Sequence, residues 1–153
     1  MKEAFNPLAL ENQLCFPLYA CARKVVGMYT PFFKPLGITY TQYIVFMVLW
    51  EQDGVSVHTL GERLYLDSGT LTPVLKKMEA AGYVRRERSR DDERVTIIHL
   101  TDAGRAMREK CEQIPLQLGK CIPMDLEDAV QLRALLCKLL ETDACSVSLE
   151  ESK

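Results

Sequence analysis

The sequence predicts a mainly α-helical chain carrying one small β-hairpin, and three observations support that expectation. Two short helical patterns joined by a tight turn occupy residues 56–81. Two β-biased runs then flank the polar window SRDDER, and both ends of the chain carry helical segments whose apolar faces exceed what one small core needs. A chain of 153 residues, 48% of them hydrophobic, suits one core rather than two. The expected unit is therefore a single domain over 1–153, completed by a partner chain.

Residues 8–33 carry apolar positions at helical spacing; Pro17 should kink this helix or mark a late start, and PFFKPLG stops it. TQYIVFMVLWEQ at 41–52 is apolar nearly all round, as in a helix buried on most sides, with Thr39 or Thr41 as cap and Asp53-Gly54 as terminator. SVHTLGERL offers Ser56 as N-cap of a short helix. After YLDSG, the run TLTPVLKKMEAAG forms a second helix closed by Gly82, with Pro73 early enough to cost little. YVRRER and RVTIIHL make the hairpin. Thr101 or Asp102 then caps a long helix through about residue 120. The last helix, near 125–142, has a broad apolar face (Leu126, Ala129, Val130, Leu132, Leu136, Leu139, Leu140) behind an acidic first turn of Asp125, Glu127 and Asp128. Residues 146–153 read as a tail.

Composition narrows the function. The longest apolar run, YIVFMVLW, is far short of the roughly 20 residues that span a bilayer, and no N-terminal leader pattern is present. A soluble, cytoplasmic protein with no membrane partner is expected. Cysteines at 15, 21, 111, 121, 137 and 145 form no CxxC pair, and the histidines, His58 and His99, lie far apart. No metal site, cofactor or disulfide framework is expected, and the cysteines should rest as thiols in a reducing compartment. The formal net charge of −2 argues against a nucleic-acid partner until its distribution is considered. Residues 76–90 hold six basic side chains against two acidic, whereas 123–153 holds three basic against seven acidic.

Helix, turn, helix, hairpin in that order, over 41–101, is the layout of a winged helix-turn-helix, whose second helix enters the major groove of DNA while the hairpin reaches the minor groove. The residue types suit that use. Asp67 and Ser68 open the second helix, Thr70 and Thr72 offer hydroxyls in its first turns, and Lys76 and Lys77 follow for phosphate. On the hairpin, Arg85, Arg86 and Arg88 supply the strand side. At its tip Arg94 follows Asp92, a carboxylate placed to orient the guanidinium toward a narrow minor groove.

YLDSGTLTPVLKKMEAAGYVRRERSRDDERVTIIHLT resembles the core of the MarR family of transcriptional regulators, whose wing carries an Asp-x-Arg element followed by Leu-Thr, here Asp92, Arg94 and Leu100-Thr101. LENQLCFPLYA, ITYTQY and LYLDSGTLTP narrow the resemblance to the organic-hydroperoxide-sensing (OhrR) repressors of that family, over about residues 8–142. The resemblance implies a homodimer built through helices at 8–35 and 103–142. It also implies a double-stranded, pseudo-palindromic DNA operator, and Cys15 as a thiol that organic hydroperoxide oxidises.

Read from residues alone, Cys15 is unremarkable: no Lys or Arg lies within four positions, and Glu11 at i−4 would oppose a thiolate. Tyr19 at i+4 shares its helical face. The resemblance adds Tyr29 and Tyr40, which in the family reach the sensing cysteine across the dimer interface and donate hydrogen bonds to its thiolate. Family members pair the oxidised thiol either with a small cellular thiol or with a second cysteine later in the chain. Cys121 is the candidate for that partner and Cys111 the alternative, while Cys21, Cys137 and Cys145 are read as structural. Two rival classes stay open: a thiol peroxidase, which needs a route to regenerate its thiol that no CxxC supplies, and a regulator released by a non-covalent aromatic ligand. The expected protein is not an enzyme.

Overall fold

The computed structural model describes residues 6–141. Cys145 and the tail at 146–153 lie outside the described residues. Two compact units are present, one ending at Leu118 and the other beginning at Gly119.

The first unit opens with a 3-10 turn, Leu10–Asn12, followed by α1 (Cys15–Met28) and α2 (Thr30–Phe33). The single helix expected over 8–33 is therefore three pieces. Pro17 is the third residue of α1, where its missing N–H would have had no intrahelical partner, so it marks a late start rather than a kink. Pro31 cannot donate to the Gly27 carbonyl, and the helix breaks at Tyr29. Helix α3 (Tyr40–Glu51) is closed at its start by a reciprocal capping box. Thr39 Oγ1 accepts from the Gln42 amide at 3.3 Å while Gln42 Oε1 accepts from the Thr39 amide at 2.8 Å, which selects Thr39 over Thr41.

Strand β1 (Val55–Ser56) precedes α4 (Val57–Leu64), whose first turn is capped by Ser56; α5 (Ser68–Ala80) follows with Asp67 as its cap. The hairpin is β2 (Val84–Arg88) and β3 (Thr96–Leu100), paired Val84 to Leu100 through Arg88 to Thr96. β1 adds antiparallel to the other edge of β3, Val55 opposite Ile98, giving the order β1-β3-β2. Two residues are too few to show alternation, so this third strand leaves no pattern in the sequence. Pro73, the sixth residue of α5, lies beyond the first turn and removes a bond to the Gly69 carbonyl, so it is more costly than its expected early position implied.

The expected long helix to residue 120 is two helices, α6 (Asp102–Cys111) and α7 (Ile114–Gly119). Pro115 removes the N–H that would have bonded to Cys111, and α6 ends there. Thr101, not Asp102, caps α6.

The core centres on α3: Val45, Phe46 and Leu49 meet Leu60 of α4, Leu71, Leu75 and Met78 of α5, Val84 and Ile98 of the sheet, and Met107 of α6, all 3% exposed or less. An apolar surface of this kind, buried from four directions, is what fixes the two short helices and the sheet as one rigid lobe. The start of α6 is fastened to it closely. Gly104 has no Cβ because one would lie 2.1 Å from the Tyr83 carbonyl oxygen, and Trp50 Nε1 donates to the Gly104 carbonyl at 3.0 Å.

The second unit contains α8 (Leu126–Leu140), capped by Asp125 with Glu127 and Asp128 in its first turn as expected. None of its residues is buried, and Leu126, Val130, Leu132, Leu135, Leu139 and Leu140 are exposed. No helix among the described residues is long and apolar enough to cross a membrane.

Candidate functional site

Two groups of residues stand out. The first surrounds a cleft of about 780 Å³ between α4, α5 and the hairpin. Asp67, Ser68, Thr72, Arg86 and Arg94 all line it, so five of the expected DNA-facing residues are brought together. Thr70, Lys76 and Lys77 are exposed on α5 outside it.

Most of these side chains have a local task. Asp67 accepts the Thr70 amide at 2.9 Å and the Thr70 hydroxyl at 2.8 Å, which holds its carboxyl below the usual range, and it therefore acts as the helix cap. Thr72 Oγ1 donates to the Ser68 carbonyl at 2.6 Å. Arg86 is held by Glu79, whose carboxylate accepts both its Nε at 2.8 Å and its amide at 3.2 Å, tying β2 to α5. At the hairpin tip Asp92 accepts Arg94 Nε at 3.0 Å and Nη2 at 2.9 Å, a two-point grip that lowers the Asp92 carboxyl and aims the guanidinium. The Arg94 side chain is 91% exposed, so the aimed group is free to meet a partner.

Each histidine lies beside a glutamate. His58 pairs with Glu62 at 3.4 Å and His99 with Glu87 at 3.3 Å. No metal-holding cluster occurs among the described residues.

The second group concerns the thiols. Cys15 is exposed and is the first residue of α1. Glu11 belongs to the separate 3-10 turn, so the helical i−4 spacing that set it against Cys15 does not apply. Tyr19, one turn along α1, accepts a hydrogen bond from Arg23 Nη1 at 3.0 Å, and the Arg23 guanidinium also lies 5.5 Å from the centre of its ring. Its own hydroxyl proton stays available to another acceptor. The i+4 spacing from Tyr19 to Arg23 is what brings this pair together on one face of α1.

Tyr29 and Tyr40 stand together, ring centres 4.9 Å apart, in an aromatic cluster that continues through Tyr43, Trp50 and Phe46 to Tyr83. Trp50 thus packs against the lobe's core. Burial raises the pKa of Tyr29 and Tyr40 and, with the charges of neighbouring Tyr29 and Cys111, pushes Tyr43 up to about 12. All three phenols stay protonated donors at neutral pH. Within its own chain Cys15 has no hydrogen-bond partner among the described residues.

Of the other cysteines, Cys111 is 2% exposed in the core, and burial raises its thiol pKa, which makes it a poor partner for an oxidised thiol. Cys121 is exposed and belongs to the second unit, Cys137 is half-buried, and Cys21 is exposed on α1 rather than packed as a structural thiol.

The sequence model of the SarA/Rot transcriptional regulators matches residues 28–111. The organic hydroperoxide resistance transcriptional regulator of Bacillus subtilis (strain 168) is 46% identical over 142 residues, covering 93% of this chain and 97% of that protein. The chain belongs to the MarR family of transcriptional regulators. Its MarR fold is found again in AbfR of Staphylococcus epidermidis. In reduced AbfR bound to DNA the TM-score is 0.74 at 37% identity, covering 86% of this chain and 90% of that one. In disulfide-formed AbfR it is 0.62 at 40% identity, covering 86% and 93%. The winged helix-turn-helix of this MarR-family chain is α4, α5 and the β2–β3 wing, with β1 as the wing's third strand.

Proposed function

We propose that this chain is a redox-sensing transcriptional repressor, released from a pseudo-palindromic operator when organic hydroperoxide oxidises Cys15. The observation that carries this reading is an exposed thiol at the first turn of α1 in a chain related over nearly its whole length to an organic hydroperoxide resistance regulator. It acts in the cytoplasm, as a binding protein rather than an enzyme.

The reduced form is a homodimer. The exposed apolar residues of α1 and α8, Leu14, Phe16 and Val26 on one and Leu126, Val130 and Leu139 on the other, support a partner chain on those helices. Two-fold symmetry then sets the two α5 helices about 34 Å apart or a multiple of it, one turn of DNA. α5 enters the major groove with Ser68, Thr70 and Thr72 in its first turns. Asp67 holds that end of the helix in shape, and Lys76 and Lys77 approach phosphates. Arg94, aimed by Asp92, enters the minor groove, and Arg86, anchored by Glu79, faces the backbone between them.

In the dimer, Tyr29 and Tyr40 of the partner chain and Tyr19 of the same helix donate hydrogen bonds to the Cys15 thiolate. The sulfur attacks the outer oxygen of the hydroperoxide; the O–O bond breaks, the alkoxide takes up a proton and departs as the alcohol, and Cys15 is left as a sulfenic acid. A second thiol then condenses with it, forming an S–S bond and releasing water. That thiol is either Cys121 or a low-molecular-weight cellular thiol. The oxidised sulfur no longer accepts the tyrosine bonds, and the free energy they contributed to the DNA-binding arrangement is lost.

The test begins by selecting duplexes from random-sequence DNA with the reduced full chain, then titrating the selected duplex with cumene hydroperoxide while intact mass is followed. Release together with an added oxygen, a thiol adduct or a crosslinked dimer is expected. Release with no change in mass would replace this account with non-covalent ligand control.

A further inference from the structure

The turn between α4 and α5 holds a residue whose side chain has no structural reason to be there. Tyr65, the C-cap of α4, sits in the left-handed region at φ 53° and ψ 41°. Every other positive φ among the described residues belongs to a glycine: Gly37, Gly54 and Gly82. A helix that ends in this conformation ordinarily ends on glycine or asparagine, because a Cβ crowds the backbone there. The work of the turn is done by main chain alone, the Tyr65 and Leu66 amides both donating to the Gly61 carbonyl. Glycine would do it with less strain.

The ring does not compensate by packing. Tyr65 is 64% exposed, and among the described residues its side chain makes no ring contact and no hydrogen bond. Its place is the wall of the cleft between α5 and the wing, alongside Ser68, Thr72 and Arg94. The hydroxyl of Thr72 and the guanidinium groups of Arg86 and Arg94 are each already bonded within the chain. The phenol, in contrast, is an uncommitted donor at the rim of the DNA-facing surface. Strain retained at an exposed position without a packing return marks a functional constraint.

We propose that Tyr65 is a DNA-contacting residue whose hydroxyl donates a hydrogen bond to a phosphate oxygen of the operator strand passing through this cleft. The inference rests on the DNA-binding reading above. Phosphate is the fitting acceptor because Tyr65 lies before α5 begins, at the edge of the groove that the helix enters. A neutral phenol offers there one directed hydrogen bond without adding charge.

The experiment compares wild type, Tyr65→Phe and Tyr65→Gly, all reduced and full length, on the duplex selected with wild type. Affinity, melting temperature and phosphate-ethylation interference are measured for each. Tyr65→Phe should melt as wild type does, bind about tenfold more weakly, and lose interference at one phosphate per half-site while keeping the others. Tyr65→Gly should melt no lower than wild type and bind at least as weakly as Tyr65→Phe. Wild-type affinity in either variant, or an unchanged interference pattern in Tyr65→Phe, overturns the assignment and leaves the regulator reading standing. Failure of reduced wild type to select any duplex overturns both.

Discussion

Asp53 joins three parts of the lobe, and its removal tests that junction quantitatively. Its carboxylate accepts the Leu100 amide at 2.8 Å and the Gly54 amide at 2.9 Å on Oδ1, and Arg105 Nη2 at 3.0 Å on Oδ2. It therefore links the turn after α3 to the end of β3 and the start of α6, across 47 residues of sequence. In Asp53→Ala, Leu100, only 4% exposed, is left with a buried amide lacking its acceptor, which costs about 1–3 kcal/mol. The Arg105 pair, on a side chain 55% exposed, adds no more than about 1 kcal/mol. A total near 3 kcal/mol is expected, lowering Tm by about 9 °C for a chain of this size. Asp53→Asn keeps an acceptor on the two amides and should cost about 1 kcal/mol.

Those hydrogen bonds and Arg105 hold the Asp53 carboxyl below its usual pKa against the opposing effect of burial. A depressed folded-state pKa means that the contribution is fully present above the unfolded carboxylate value, about 3.9, and is lost as pH falls through the folded one. Urea unfolding should thus show a constant gap between the wild type and each variant from pH 5 to 8 that narrows below about pH 4, the Asp53→Asn gap toward zero and the Asp53→Ala gap toward the difference between the two variants, because a protonated carboxyl still accepts the amides. A loss under about 1 kcal/mol in Asp53→Ala at pH 7, with unchanged m, refutes the argument that this carboxylate fastens the wing.

Two further substitutions probe packing and DNA contact. Gly104→Ala places a methyl 2.1 Å from the Tyr83 carbonyl oxygen, so α6 must move off the sheet; a loss of at least about 3 kcal/mol in thermal unfolding is expected, and a variant within 1 kcal/mol of wild type contradicts the contact. On the selected duplex, Arg94→Ala should lower affinity and reduce the slope of log affinity against log salt by about 1, whereas Asp92→Ala should weaken binding with the slope kept, because the charge remains but is no longer aimed. Equal slopes for wild type and Arg94→Ala would exclude an arginine on the DNA.

The DNA-facing lobe was legible in the sequence because its signals are local. Ser56, Asp67 and Thr101 each cap the helix that follows, as their residue types advertise, and VRRER and TIIHL pair across the polar window as β-biased runs do. What the sequence obscured involves proline position and distant contact. Pro17 is harmless as the third residue of a helix and Pro31 and Pro115 are disruptive deeper in, so one residue type gave a late start in one place and breaks in two others. The Asp53 junction joins residues 47 apart, and Glu79 anchors Arg86 from a helix to a strand, across a turn where neither helical nor strand periodicity carries through. Cys15 was the extreme case. Its exposure and its place at a helix start emerge only once the helix boundary is known, and two of its three proposed tyrosine partners, Tyr29 and Tyr40, belong to another chain.

The most direct test of the central claim compares wild type with Cys15→Ser, both reduced and bound to the selected duplex carrying a fluorescent label, as cumene hydroperoxide is added. A starting affinity close to that of wild type is expected, since a serine hydroxyl can accept the tyrosine hydrogen bonds in place of the sulfur and the position does not line the DNA-facing cleft. Anisotropy should then fall to the free-DNA value for wild type and stay at the bound value for Cys15→Ser. Release of both proteins at the same hydroperoxide concentration would contradict the assignment of Cys15 as the switch.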